Sequence, residues 1–399
     1  MTGPSDNPPS VRGLEAEQRE AARRKEAREE ELRAARLLRA EAKRAHQAAL
    51  RQRLSREVLY AGEGVSATVA QPTSDAERLR AAGLPVAHTA LDLAHLLDLD
   101  LPALRWLTYH REVARSTHYR QYQVPKRRGG TRTISAPRPR LKAAQRAVRE
   151  RFLAPLGVSP HAQAFVPGRS TLTNARPHLR PAVLVKLDVV DFFGSFDFPR
   201  VRGWFRARGY SGMVSTLLAL LTTEPPRVEV SLDEQRVYVA TGPRVLPQGA
   251  PTSPDLTNLL ALRLDRRLAG YAQKHGWTYT RYADDLTFSR DDEPGGAVSR
   301  LLGTARAILE SEGLRLNRAK QSVTRRGRQQ RVTGIVVNEV AGIPRKELRR
   351  FRAAVHKVTH DGFADERERQ RMLGFASYVR MVKPALGEAW LEALRGVGS

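Results

Sequence analysis

The sequence predicts an α+β protein with a long helical extension at its front, and three observations carry the prediction. Short strand-like and helix-like segments alternate along the body without the regular strand-helix unit of a doubly wound fold. Val183–Asp188 (VLVKLD) and Thr278–Ser289 (TYTRYADDLTFS) are β-rich runs, the second broken by a tight turn. From Val11 to Val58 the chain draws on Ala, Arg, Glu, Leu and Gln, with no Gly after Gly13 and no Pro.

The extension comes first. Its composition predicts one long charged helix whose apolar face is thin, either a solvated surface helix or an arm for a partner. Gly, Ser, Thr and Pro between Ala61 and Asp75 read as the linker into the body. Within the body, Ser253–Lys274 is expected to be one helix, with Ser253 as N-cap and Pro254 at its first position. Beyond Arg345 the chain turns helical and basic again. The boundaries expected are therefore 1–75 for the extension and linker, 76–344 for the main body and 345–399 for a small C-terminal subdomain, which a chain of 399 residues accommodates.

Charge narrows the partners. Lys and Arg number 68 against 42 Asp and Glu, a formal charge of +26. Nucleic-acid phosphate is the commonest acidic partner for so cationic a chain, a generally solubilising surface being the alternative. The absence of cysteine excludes disulfides, zinc ribbons and thiolate catalysis. The first residues lack the apolar core of a signal peptide, and no run reaches the roughly 18 apolar residues of a membrane span. A cytoplasmic protein without a membrane partner is expected.

The chemistry concentrates in three carboxylates. Asp284 and Asp285 sit at the turn of TYTRYADDLTFS between apolar and aromatic neighbours. Adjacent carboxylates in such surroundings repel unless a cation lies between them, and magnesium suits hard oxygen ligands of this kind; an ordinary acidic turn is the bland alternative. Asp188 ends the strand VLVKLD, and if the two strands are neighbours the three groups meet. Such a set holds two metal ions roughly 3.5–4 Å apart in enzymes that displace at phosphorus.

Tyr282-Ala283-Asp284-Asp285 resembles the YxDD box of reverse transcriptases, Leu187–Phe193 (LDVVDFF) resembles their first metal-binding motif, and Leu246–Pro254 (LPQGAPTSP) their nucleotide-contacting loop. The resemblance implies a right-hand polymerase fold: fingers from about Asp75 to His178, a palm with a ferredoxin-like antiparallel sheet, and a helical thumb from about Arg345. It implies that Asp188 and Asp284 hold two Mg²⁺, assisted by Asp285 and the Val189 carbonyl. Phe193 falls at the steric gate that selects deoxynucleotides, and Gln248 and Gly249 at the incoming nucleotide. Lys126–Arg132 (KRRGGTR) resembles the finger hairpin whose arginine grips the triphosphate, giving that role to Arg132 and Lys126. Gly313–Lys320 (GLRLNRAK) is similar to the motif whose lysine protonates pyrophosphate, so Lys320 is the candidate general acid.

Two patterns point to the retron branch: Asn174-Ala175-Arg176-Pro177-His178 (NAxxH) and Val332-Thr333-Gly334 (VTG). By that resemblance Asn174, His178, Val332, Thr333 and Gly334 contact RNA. Arg345, Lys346, Arg349, Arg350, Arg352 and Lys357 are candidate phosphate contacts or a solvated helix face. The branch implies dNTPs as substrates, the cognate noncoding RNA (msr-msd) as template, its branched RNA-linked DNA as product, a host RNase H, an effector protein and a role in antiphage defence. An intron-encoded or diversity-generating reverse transcriptase, or an RNA-binding scaffold restraining an effector, are the alternatives. The first motif departs from many relatives at Gly194-Ser195-Phe196, where they carry Pro-Ser-Ile.

Overall fold

The computed structural model describes residues 11–55, 57–58, 60–66, 73–126, 129–232 and 235–397. The start of the chain, part of the expected linker (67–72) and Arg127-Arg128 of the finger hairpin lie outside the described residues. The chain divides into two compact units, Met1–Leu59 and Tyr60–Ser399, with the division ahead of the expected linker. Among its described residues the first unit is one helix, Val11–Leu54, ending four residues before the expected Val58. Its residues favour helix, and Glu20 meets Arg24 one turn on at 2.5 Å.

The second unit is organised on sheets. In chain order the strands are β1 (Val113–Ala114), β2 (Tyr119–Pro125), β3 (Thr131–Pro137), β4 (Val183–Asp188), β5 (Arg227–Leu232) and β6 (Gln235–Ala240). Then follow β7 (Thr278–Tyr282), β8 (Asp285–Arg290), β9 (Ser322–Arg325), β10 (Arg331–Val332) and β11 (Ile335–Val336). The central sheet runs β7-β8-β4-β9, every pair antiparallel. Helices intervene between β4 and β7 and between β8 and β9, while β7 and β8 form a hairpin. That is the β-α-β-β-α-β order of the expected ferredoxin-like sheet.

Strand β4 lies between two partners, and Val183, Leu184, Val185 and Leu187 are all buried. With Leu286 and Phe288 of β8 they form the floor under the carboxylates. Full burial of side chains this size contributes about 1.5–3 kcal/mol each.

The expected helix Ser253–Lys274 is two helices, Ser253–Leu260 and Leu262–Lys274, broken at Ala261. Thr252 is the N-cap, and the Ser253 hydroxyl instead donates to the Pro247 carbonyl (2.8 Å), tying the helix back to its own loop. Asn258 and Asp265, one from each helix, both reach Arg281 of β7.

At the C-terminal end, helices Arg345–Asp361, Glu366–Val382 and Pro384–Arg395 pack around Val355, Val358, Met372, Ala376, Val379, Trp390 and Leu394. The ring of Phe351 bridges Phe375 and Trp390 at 4.5 and 5.0 Å. Among the described residues no helix is long and apolar enough to cross a membrane.

Candidate active site

The antiparallel register sets Asp188 at the end of β4 directly opposite Asp285 at the start of β8, and Asp285 opposite Tyr282 on β7. Only Ala283 and Asp284 remain to turn the hairpin, so all three carboxylates gather at one end of the sheet. Ala283 takes a left-handed backbone (φ 56°), a conformation that costs an L-residue roughly 1–2 kcal/mol. Backbone bonds hold the corner: the Val189 N–H donates to the Asp284 carbonyl (3.0 Å) and the Asn317 N–H to the Asp188 carbonyl (2.8 Å).

Beneath the turn lies a buried polar network. Arg281 on β7 is fully buried and paired in bidentate fashion with buried Asp265, both N–O distances 2.8 Å. Its remaining nitrogen reaches the Asn258 side-chain oxygen (3.1 Å) and the Ala283 carbonyl (3.4 Å), while Tyr279 donates its hydroxyl to Asp265 (2.9 Å). Burial opposes the Arg281 charge, but Asp265 more than offsets it and the guanidinium stays ionised. Arg281 therefore tethers the strained turn to the helix Leu262–Lys274.

The carboxylates are electrostatically loaded. Burial, then the neighbouring Asp285 and Asp188, push Asp284 up to about 6. Burial likewise raises Asp285, with Lys186 and Lys320 acting against it. Lys320 donates to Asp188 at 2.8 Å, a contact that raises its own pKa, and the Asn317 amide donates to the other Asp188 oxygen at 3.0 Å. Among the described residues no three acidic, His or Cys side chains close into a cage that would hold an ion on protein ligands alone. An open set of hard oxygens whose charge repulsion a cation would relieve suits a divalent ion completed by substrate phosphates.

The other expected residues fall as follows. Phe193 is half-buried, its ring 6.2 Å from both Phe165 and Phe192, while Phe192 and Phe196 are core. Gly194 faces the Asp191 carboxylate so closely that a Cβ there would lie 2.1 Å from its oxygen. Asp191 is exposed and its carboxylate can turn away, so this contact leaves the departure from proline without a structural explanation. Lys126 and Arg132 are exposed on the β2-β3 hairpin, whose Gly129 and Gly130 both take positive φ. The Ser135 N–H on β3 donates to the Gln248 carbonyl at 2.8 Å, bringing that hairpin against the LPQGAP loop.

The two retron patterns meet each other: the Asn174 amide donates to the Thr333 hydroxyl (3.3 Å), which donates in turn to the Thr171 carbonyl (3.1 Å). The expectation that these residues face RNA needs correction for three of them. Asn174, His178 and Val332 are buried, leaving no surface for a direct contact; Thr333 is half-buried and Gly334 exposed. Leu172, Ala175, Leu184, Val332, Ile335 and Val337 form one cluster against which Met381 and Val382 of the C-terminal helices pack. The patterns thus join the central sheet to the terminal helices. By contrast Arg345, Lys346, Arg349, Arg350, Arg352 and Lys357 are all exposed, on the helix face opposite Val355 and Val358.

His178 ties β7 to β8, its ring nitrogens 2.8 Å from the Thr280 hydroxyl and 2.7 Å from that of Ser289. Burial pushes its pKa down to about 3 from 6.5. The unfolded chain therefore takes up this proton first: the contribution to stability is complete above pH 6.5 and is lost as pH falls toward 3, at about 1.4 kcal/mol per pH unit. His178→Gln is expected to lack that slope, so that the difference between wild-type and variant urea midpoints shifts steadily against the wild type from pH 7 through 6 and 5 to 4. Parallel curves would show that the ring is not held neutral.

Asn317, Arg281 and Asp265 escaped the sequence reading. Asn317 lies three residues before Lys320 in GLRLNRAK, and Arg281 is the one charged residue in the strand TYTRY.

Comparisons with known proteins agree with this geometry. The family described as Reverse transcriptase (RNA-dependent DNA polymerase) matches residues 124–375. The retron Mx162 reverse transcriptase of Myxococcus xanthus is 45% identical over 335 residues, 80% of this chain and 69% of that protein. The retron Mx65 reverse transcriptase of the same organism is 46% identical over 314 residues, covering 79% and 73%. The retron Ec86 reverse transcriptase of Escherichia coli is 34% identical over 284 residues, covering 70% and 81%. With its carboxylates gathered on an antiparallel sheet and these relatives spanning most of its length, the chain belongs to the retron reverse transcriptases and is an RNA-directed DNA polymerase.

Proposed function

We propose that this polymerase copies a structured noncoding RNA (msr-msd) into single-stranded DNA that stays joined to the RNA, starting from the 2′-hydroxyl of a guanosine. The observation that carries the reading is the convergence of Asp188, Asp284 and Asp285 in a chain whose NAxxH and VTG patterns lock together. Asp188 and Asp284 would hold two Mg²⁺ with help from Asp285 and the Val189 carbonyl, and the bound ions would supply charge neutralisation and an activated hydroxyl for in-line displacement.

The chain's own residues do the rest. Lys320, held protonated beside Asp188, is placed to give a proton to the leaving pyrophosphate once phosphate draws it away. Arg132 and Lys126 on the exposed hairpin engage the triphosphate, with Phe193 under the sugar and Gln248 beside the base. The exposed row from Arg345 to Lys357 offers phosphate contacts along an A-form RNA.

Gly249 couples two of these parts. At φ 116° its missing Cβ would stand 2.8 Å from Ile134 and 3.0 Å from the Ser135 carbonyl on the finger hairpin. Gly249→Ala is expected to destabilise by more than about 1 kcal/mol and to raise the KM for dNTPs about tenfold in steady-state extension. An unchanged KM would separate this contact from nucleotide binding.

Expression with the adjacent noncoding region, RNase treatment and a denaturing gel test the reading in cells. A discrete small DNA that shifts after debranching is the expected result; its absence from a chain that extends ordinary primers on RNA would leave the polymerase and remove the branched product. A cytoplasmic site of action, removal of template by a host RNase H, and antiphage defence with an effector protein complete the proposal. Equal plaque counts with and without the locus across a broad phage panel would contradict the defence role.

A further inference from the structure

Away from the carboxylates, a cavity of about 300 Å³ opens between the helix Leu101–Thr108 and the segment Tyr109–Tyr119. Its walls are aromatic and cationic. Trp106 is 51% exposed, with the His118 ring against it at 4.3 Å and the His118 Nε2 3.0 Å from its carbonyl. The Arg140 guanidinium also approaches the indole, 5.8 Å from the ring centre, and about half of the residue stays open to solvent. Tyr109 on the same rim is 41% exposed and carries the Arg111 guanidinium 4.7 Å above its ring.

The floor is charged and built. Glu224 accepts from Arg227 at 2.9 Å and faces Arg244 at 3.6 Å, the two arginine side chains only 7% and 9% exposed. Backbone carbonyls fix both: Arg227 donates to those of Arg111 (2.7 Å) and Glu112 (3.0 Å), Arg244 to that of Leu220 (2.9 Å). His110, 3.1 Å from Arg244, is held down to about 4 by burial and by these arginines and adds no charge at neutral pH. Two guanidinium groups therefore stand against one carboxylate, and exposed Arg111 and Arg115 add to the excess at the rim. A concave cationic site of this kind draws an anion. Its volume, at the low end of the roughly 300–1,000 Å³ of ligand pockets, admits one nucleotide and excludes a duplex.

We propose that this cleft binds a single unpaired nucleotide, the base stacked on Trp106 and the phosphate held by the surrounding arginines. Stacking on an open aromatic face beside arginine is sequence-tolerant, so the site would hold a strand or a free nucleotide without reading its base.

The test uses the full chain without metal or dNTPs. Binding of a six-nucleotide RNA carrying 4-thiouridine is followed by fluorescence anisotropy, and photocrosslinks are mapped by mass spectrometry. The expected result is an adduct on the peptide carrying Trp106 or His118, lost in Trp106→Ala with about tenfold weaker binding, and largely restored in Trp106→Phe. Competition by millimolar AMP would identify a free nucleotide as the ligand, and competition by a second single strand alone would identify a nucleotide within a strand; either supports the site. Adducts confined to other peptides, or equal affinity in wild type and Trp106→Ala, would overturn it. Because no synthesis is measured, that failure leaves the carboxylate site untouched.

Discussion

Asp284→Asn is expected to abolish DNA synthesis, lowering the extension rate at least a thousandfold, which corresponds to about 4 kcal/mol of lost transition-state stabilisation. The substitution keeps the shape of the side chain and removes the charge that a divalent ion needs. It should cost no stability. A carboxyl whose pKa is near 6 in the folded chain and near 3.8 unfolded opposes folding once ionised, so its contribution worsens as pH rises from about 4 through 6. At pH 8 the variant should therefore melt no lower than wild type, and Mg²⁺ should raise the wild-type midpoint more than the variant's. Residual synthesis within tenfold of wild type would remove Asp284 from the reaction.

Asp265→Ala is expected to give the largest loss of stability. It strands the Arg281 guanidinium, fully buried and left without a carboxylate partner, and breaking such a pair costs about 3–5 kcal/mol. Differential scanning calorimetry should show the midpoint falling by several degrees. The double variant Asp265→Leu, Arg281→Met replaces the pair by apolar volume and should recover most of that loss. Activity should not recover with it, because the methionine cannot hold the Ala283 carbonyl and the left-handed turn beneath Asp284 loses its tether. Recovery of both stability and activity would make Arg281 a core residue only.

What was legible in the sequence was set locally. VLVKLD carries four apolar residues in its first five and so reads as a buried strand, and TYTRYADDLTFS carries its turn between two β-rich runs. Once both are strands, a two-residue turn leaves little freedom in where Asp284 and Asp285 can stand, and the Asp188–Asp285 register follows from pairing them. The parts that escaped depend on partners distant in sequence. Arg281 is a cation in a buried strand whose partner, Asp265, lies on the helix that precedes it. Asn317 finds Asp188 only because the chain returns along β4. His178 and Asn174 carry polar groups that a surface reading sends outward, yet the fold satisfies His178 with Thr280 and Ser289 and Asn174 with Thr333, and burying them joins the sheet to the C-terminal helices.

The most direct measurement is synthesis without an added primer. The protein copurified with its noncoding RNA is given dNTPs and Mg²⁺, and the DNA made is tested for a covalent bond to RNA that debranching enzyme cleaves. RNA-linked DNA is expected from the wild type and none from Asp284→Asn. DNA that forms only when a separate primer is supplied, and that is never joined to the RNA, would contradict that expectation.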